Sequence, residues 1–396
     1  MSSSIRTINI FGVTGSIGQS TRDVIGAHKE KFDVQVLSAH TNVKALAKAA
    51  MEFNASYAVI GYESAYAELK NLLAGTEIQV MAGLQALLDA AAMPADISMM
   101  AIVGMAGLEP LMNAIENSKH VAIANKEPLV AAGPFVVAKA RECGTVLLPV
   151  DSEHNAIFQV FEEANRSEIE RIILTASGGP FRTWTIEDMH RATPKDALAH
   201  PNWDMGAKIS VDSATMMNKA LEVIEAHYLF AMPPEKIDVI VHPQSLIHSM
   251  VEYADGSVLA QMGASDMRTP IANILTYPNR LKTPGNTLNF KDIKFLEFEE
   301  VDTGKFPCMD WVYTALKNDL SYSICLNASN EIAVDAFLNN ELYFGDIMKA
   351  IDHALQSVNS QNIQDLRDVL EFDQMVRAKT LEFLKAQTNK KAVSIS

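Results

Sequence analysis

The chain has 396 residues, 48% hydrophobic and 20% charged, which suits two or three domains with a sizeable buried core and excludes a disordered chain. Its net charge of −15 argues against nucleic acid or an anionic membrane as partner. Three cysteines, Cys143, Cys308 and Cys325, are too few and too scattered for a disulfide framework or a thiolate metal site, which fits a reducing cytoplasm.

The start, Met1-Ser2-Ser3-Ser4 followed by Ile8-Asn9-Ile10-Phe11, shows no signal-peptide core. No apolar stretch reaches the ~18 residues of a membrane span, so a cytoplasmic protein is expected. Through residue 150, apolar runs alternate with helical patterns. Strands are predicted at 8–11, 34–37, 57–60, 99–103, 121–124 and 146–149, with helices such as 44–53, 65–73 and 84–91 between them. That alternation predicts an α/β domain, a mostly parallel sheet with helices on both faces.

The first strand leads into Gly12-Val13-Thr14-Gly15-Ser16-Ile17-Gly18 and then a helix. Glycines there allow a tight turn and bring backbone close to a pyrophosphate at the helix N-terminus, so a dinucleotide site or a plain strand–turn–helix is expected. After the second strand comes Ala39-His40-Thr41-Asn42. No carboxylate stands where one would grip the 2′-hydroxyl of NAD, which leans modestly to NADP. Asn125-Lys126-Glu127-Pro128 follows the strand at 121–124. It reads either as a helix start capped by Asn125 or as a lysine delivered to the cofactor crevice.

The apolar run 146–150 ends in Asp151-Ser152-Glu153. If the run continues as a strand, the two carboxylates share a face at its C-terminal end. Held that close they repel unless a proton or a hard cation such as Mg²⁺ or Mn²⁺ lies between them; the alternative is a solvated pair of loop acids. A strand at 171–175 runs into Ser177-Gly178-Gly179, an ordinary turn or an anion-binding one. Residues 185–210 show little periodicity and contain His200-Pro201-Asn202-Trp203. This stretch reads as an apolar flap that excludes water, or as Trp203 packing on its own domain. A helix is predicted from Asp212 or Ser213 onward, with Asn218, Lys219 and Glu222 on one face. One phosphate-sized ligand could touch Ser213, Asn218 and Lys219, with a metal at Glu222; the alternative is a solvated Lys–Glu pair. Strands follow at 237–241, 250–253 and 258–262. His154, His200, His242 and His248 are acid–base candidates, and His200 is the one selected.

Residues 281–308 read as a linker, and 309–396 as a four-helix bundle with a frayed tail from Asn389. The expected division is a dinucleotide-binding domain at 1–150, an α+β catalytic domain at 151–280 with a lid at about 185–210, the linker, and the bundle.

Taken together, Thr14–Gly18, Ala124–Glu127, Val150–Phe158, Ser177–Phe181, His200–Trp203, Ser213–Lys219 and His242–Ser245 closely resemble the 1-deoxy-D-xylulose 5-phosphate reductoisomerases, over essentially the whole chain. The resemblance implies a Rossmann-like domain, a catalytic domain and a C-terminal helical bundle in a cytosolic homodimer. It implies NADPH and a divalent cation (Mn²⁺, Mg²⁺ or Co²⁺) acting on a sugar phosphate. Asp151, Glu153 and Glu222 would hold the metal and, with Lys126 and His200, form the catalytic set. Ser177, Ser213, Asn218 and Lys219 would bind the phosphate. Ser152 and His200 would lie near the substrate, and Trp203 would cover it. The cofactor would contact Thr14, Gly15, Ser16, Ile17, Ala39, His40, Thr41, Asn42, Asn125, Lys126 and Glu127. The chain departs from many relatives at His40-Thr41, where they carry Gly and a basic residue.

Overall fold

The computed structural model describes residues 5–203 and 205–395, with side chains up to residue 387. Two compact units emerge: Met1–Pro128, Val136–Gln159 and Asp266–Leu288 form the first, and Leu129–Phe135, Val160–Ser265 and Asn289–Ser396 the second.

The first unit alternates strand and helix: β1 (Arg6–Phe11), α1 (Ser16–Gly26), β2 (Phe32–Ala39), α2 (Val43–Phe53), β3 (Tyr57–Ile60), α3 (Tyr66–Leu72), β4 (Gln79–Ala82), α4 (Gly83–Ala91), β5 (Ala95–Met100), α5 (Leu108–Asn117), β6 (Ser118–Ile123), α6 (Glu127–Cys143), β7 (Val146–Pro149) and α7 (Ser152–Val160). The seven strands are all parallel, in the order β4-β3-β2-β1-β5-β6-β7. Strand order reverses between β1 and β5, and ligands of open α/β sheets bind at such a switch point. The central strands are buried on both faces, one lined by apolar residues and the other taking in Asn9 and Ser98, both fully buried. Ile8, Ile10, Leu37, Ile97 and Met99 are all sealed in this core. Two glycines are fixed by sterics at the switch point. A Cβ on Gly12, whose φ is +95°, would come 2.3 Å from the carbonyl oxygen of Ala101, and one on Gly18 would come 2.3 Å from that of Gly12. In α6, Pro134 lies inside the helix and Ala132 leaves helical geometry at φ −136°. A proline has no N–H for the helix ladder, which accounts for the kink.

In the second unit the chain runs through β8 (Ile169–Ala176), α8 (Ile186–His190), α9 (Pro194–Leu198), α10 (Ala207–Ala214), α11 (Met217–Phe230), β9 (Ile237–Val241), β10 (Ile247–Tyr253) and β11 (Val258–Met262). The sheet order is β11-β10-β8-β9, with β8 and β9 parallel and the other pairs antiparallel. The chain then returns to the first unit for α12 (Arg268–Thr276). Four further helices of the second unit close the chain: α13 (Cys308–Lys317), α14 (Leu320–Leu338), α15 (Phe344–Ser357) and α16 (Leu366–Ile395). Among the described residues no helix is long and apolar enough to cross a membrane.

Four local expectations are corrected. The run 146–150 does not carry Asp151 and Glu153 on one strand. β7 stops at Pro149, and Ser152 opens α7, so Glu153 sits in the first turn of a helix. The single helix expected from Asp212 is two helices, broken where Met216 takes a left-handed φ of 61°. Thr215 makes the break locally. Its hydroxyl donates to the Asp212 carbonyl at 3.1 Å and accepts from the Met217 N–H at 3.3 Å, competing with the helix ladder. The aperiodic stretch 185–210 holds two five-residue helices opened by Thr185 and Thr193, whose side chains accept from N–H groups of the first turn. Residue 204 lies outside the described residues. The tail expected to fray is helical through Ile395, in a Lys- and Ala-containing segment free of Gly and Pro; Ser396 lies outside the described residues.

Candidate active site

In the second unit, the parallel strands β8 and β9 end side by side, and the candidate groups follow their C-terminal ends. Ser177 opens the turn after β8, where Gly178 and Gly179 hold φ of +80° and +68°. A Cβ on Gly179 would lie 2.4 Å from the Ser213 carbonyl oxygen. Glycine is therefore required by conformation and by contact, and the turn that carries Ser177 abuts the backbone of Ser213.

His200 joins this group through its tautomer. Its Nδ1 accepts from the backbone N–H groups of Asn202, at 3.2 Å, and Trp203, at 3.0 Å. Nδ1 therefore carries no proton, and in the neutral ring Nε2 must carry it. Nε2 stands 2.9 Å from Ser177 Oγ, to which it donates. Burial pushes the His200 pKa down to about 4, so the ring is neutral near pH 7. The arrangement makes His200 a fixed neutral donor that orients Ser177.

The loop bearing Trp203 is latched. Asn202 Nδ2 donates to the Pro243 carbonyl at 2.7 Å and to Ser245 Oγ at 3.1 Å. Trp203 packs on His248 with ring centroids 5.9 Å apart. His248 is buried, and that burial drives its pKa to about 4, with the positive charge of Lys219 pushing the same way.

One face of α11 carries the remaining polar groups. Glu222 is 0% exposed and Lys219 3% exposed, so the solvated-pair reading is excluded. Asn218 Nδ2 donates to Glu222 Oε1 at 2.5 Å, and Lys219 Nζ pairs with Glu222 Oε2. A buried cation and carboxylate, with a half-buried amide beside them, share one stripe, a costly arrangement for packing alone.

In the first unit, Lys126 Nζ pairs with Asp151 Oδ2, and Ser152 Oγ donates to Glu153 Oε2 at 2.6 Å. Lys126 is buried at the start of α6, and Asn155 Nδ2 ties α7 back to the Pro149 carbonyl at 3.1 Å. The candidate metal ligands are thus carboxylates alone, without thiolate. That donor chemistry fits a hard divalent ion of the Mg²⁺ or Mn²⁺ kind. Two of the three carboxylates, Asp151 and Glu222, each carry a lysine ammonium, so the positions already accommodate positive charge.

Family models for 1-deoxy-D-xylulose 5-phosphate reductoisomerase match residues 8–133, and models of its C-terminal domains match 147–230 and 262–379. The 1-deoxy-D-xylulose 5-phosphate reductoisomerase of Zymomonas mobilis is 50% identical over 372 residues, 94% of this chain and 96% of that protein. That of Rhodospirillum centenum is 51% identical over 382 residues, 96% of this chain and 95% of that protein. The chain belongs to the 1-deoxy-D-xylulose 5-phosphate reductoisomerase family. Among solved structures, the Z. mobilis reductoisomerase in complex with NADPH superposes with a TM-score of 0.90 at 47% identity, covering 97% of this chain and 99% of that one. A reductoisomerase in complex with NADPH, fosmidomycin and magnesium gives a TM-score of 0.93 at 38% identity, covering 96% of this chain and 98% of that one.

In this member of the reductoisomerase family, the residues expected to meet the cofactor gather around the switch point of the first unit. Gly15 stands before α1 with ordinary clearance to a Cβ, and the α1 N-terminus has no side-chain cap and no acid in its first turn. Its N–H groups suit a phosphate. Thr14 to Ile17 line this turn, and Ala39 to Asn42 leave the neighbouring β2. Asn42 caps α2 by accepting from the Ala45 N–H at 3.1 Å, which explains that residue apart from any ligand. Asn125 does not cap α6: Lys126 takes the cap position, and Asn125 Nδ2 donates to the Gly104 carbonyl at 2.9 Å. Buried Lys126 and Glu127 follow at the C-terminal edge of β6.

Beside the candidate residues stand groups that sequence reasoning does not single out: His248, Asn202 and Ser245. In the sequence, His248 is one of four candidate histidines and has no motif of its own. Its signal is the start of an alternating strand directly after the His242–Ser245 motif. Asn202 and Ser245 lie inside quoted motifs, but only the fold shows that they latch together.

Proposed function

We propose that Asp151, Glu153 and Glu222 supply the ligands of a divalent ion, and that Ser177, Ser213, Asn218 and Lys219 bind the phosphate of 1-deoxy-D-xylulose 5-phosphate. The reaction is the family's: NADPH- and metal-dependent isomerisation and reduction of that substrate to 2-C-methyl-D-erythritol 4-phosphate, on the way to isoprenoid precursors. The observation that supports the residue assignment is on α11, where buried Lys219 and Glu222 pair and half-buried Asn218 donates to the same carboxylate; Lys219 would meet the phosphate charge and Glu222, one turn along, the metal.

When bound, the divalent ion supplies Lewis acidity to the hydroxyketone and NADPH supplies the reducing equivalent. The chain's own groups bind, orient and keep the site dry. Ser177, aimed by the His200 Nε2–H, donates its hydroxyl proton to a phosphate oxygen, as does Ser213. The Asn218 amide and the Lys219 ammonium complete the anion site. Phosphate binding remote from the reacting carbons fixes their orientation. Ser152 and His200 stand at the substrate, Trp203 covers it, and the exclusion of water strengthens every charge contact there. Lys126 holds Asp151 on one side and reaches the cofactor on the other. Thr14 to Ile17, Ala39 to Asn42 and Asn125 to Glu127 receive the dinucleotide.

Residues 1–150 serve the cofactor and 151–280 the chemistry; 281–308 link these to the helical module at 309–396. The protein acts in the cytoplasm as a homodimer, without nucleic-acid or membrane partners. The acidic net charge supports that reading, as does the apolar edge of β11, where Val258 and Leu259 are 46% and 37% exposed.

Glu222→Gln tests the assignment, since it keeps volume and removes the anion. Product formation from 1-deoxy-D-xylulose 5-phosphate, NADPH and Mn²⁺ should fall by about a thousandfold or more, with a raised Mn²⁺ requirement. Wild-type turnover in this variant would remove Glu222 from the ligand set.

A further inference from the structure

Asp212 is a buried carboxylate that the reaction scheme does not use. It is 2% exposed near the end of α10, directly before Ser213. Lys208 Nζ, one turn earlier, stands 2.9 Å from Asp212 Oδ2. Asn330 Nδ2 of α14, also buried, donates to Asp212 Oδ1 at 2.8 Å. Asn330 Oδ1 is buried without a hydrogen bond among the described residues, so this amide is spent on its donor. A carboxylate taken out of water and held by one cation and one amide has little freedom to move.

The same few residues are gripped again from the C-terminal helices. The Cys308 thiol of α13, fully buried, donates to the Thr215 carbonyl at 3.3 Å. Thr215 in turn bridges Asp212 to Met217, and Met216 holds a left-handed φ that an L side chain seldom adopts. Such a conformation persists only where its surroundings over-determine it. Ser213 and the first turn of α11, with Asn218 and Lys219, stand on either side of that break.

We propose that Asn330 and Asp212 are positioning residues for the phosphate subsite: α14, acting through the Asp212 carboxylate, sets where the Ser213 hydroxyl and the start of α11 stand. The inference rests on the phosphate role of Ser213 given above. Loss of the Asn330 amide leaves the Asp212 carboxylate, among the described residues, with Lys208 alone, in a space that water enters poorly. The carboxylate then shifts, and the serine beside it shifts with it. Cofactor residues lie in the other unit and are untouched.

The test uses the full chain with Mn²⁺ and NADPH. Asn330→Leu, Asn330→Ser, Ser213→Ala and the Asn330/Ser213 double replacements are compared by kcat and KM for 1-deoxy-D-xylulose 5-phosphate. Inhibition by inorganic phosphate and NADPH affinity are measured alongside. Each Asn330 variant should raise KM about tenfold, the scale of one lost hydrogen bond to a charged group, and weaken phosphate inhibition in proportion. NADPH affinity should stay at the wild-type value, and kcat should change far less than KM. On the Ser213→Ala background the Asn330 replacement should add little, because its route of action is already gone. A merely structural Asn330 would lower thermal stability and leave the KM-to-kcat split unmoved. Asn330→Ser leaves room for a water, so it gives a reading even where leucine prevents folding. Unchanged KM and phosphate inhibition in a folded Asn330 variant, with Ser213→Ala impaired, would overturn the inference alone. So would fully additive effects. An unimpaired Ser213→Ala would overturn the phosphate reading of Ser213 and the inference with it.

Discussion

At the scale of single residues, protonation states decide how the site works. His200 and His248 are both kept neutral by burial, each with a pKa near 4 against an ordinary value of 6.5. Their neutrality shapes the hydrogen bonds, since a proton on His200 Nδ1 would face two backbone N–H groups. The linkage has a definite sign. Each ring has a folded pKa below its unfolded one, so the unfolded chain binds protons first as pH falls. The stabilisation is complete above pH 6.5 and drains away between about 6.5 and 4. We expect the thermal midpoint to drop across that window, and His200→Asn to drop less, because it removes one of the two titrating rings. Thermal melts at pH 7, 6, 5 and 4.5 measure both. A wild-type midpoint that is flat or rising toward pH 4.5 contradicts the assignment.

At the scale of elements, the second unit gathers its chemistry at the ends of β8 and β9 and along one face of α11. α8 and α9 take up ten residues of the aperiodic stretch 185–210, and Asn202 is pinned to Pro243 and Ser245. Trp203 therefore presents its ring from an anchored position beside His248. Trp203→Ala should raise KM for 1-deoxy-D-xylulose 5-phosphate by roughly tenfold or more, the scale set by burying an aromatic ring, and should leave NADPH affinity unchanged. Loss of NADPH binding would place the ring elsewhere. Much of this was legible in the residues. The alternation of apolar runs marked five of the seven parallel strands, and β5 only in part: the run 99–103 overlaps Ala95–Met100 at two residues. The α11 stripe emerged from spacing alone. β4 was not legible: its apolar run, Val80-Met81-Ala82, is only three residues long and half-exposed at the sheet edge. Nor was the break at Met216, where side-chain competition at Thr215 and tertiary contacts override helix propensity. The strand at 146–149 stands as expected, but it does not run on to carry Asp151 and Glu153 on one face: a helix start at Ser152 takes over.

At the scale of the whole chain, reductoisomerase family membership covers nearly every residue, and the candidate residues are divided between the two units. The apolar edge of β11 is the face we assign to the partner copy. Leu259→Lys should shift the protein from dimer toward monomer in analytical ultracentrifugation, because a charge on an edge strand opposes pairing. An unchanged dimer would place the interface elsewhere. The central claim is that carboxylates 151, 153 and 222 serve a metal on which the reaction depends. Its most direct measurement follows NADPH absorbance with 1-deoxy-D-xylulose 5-phosphate before and after EDTA, and again on addition of Mn²⁺. We predict that oxidation stops with the chelator and recovers with the ion; NADPH oxidation that continues undiminished in EDTA would contradict the account.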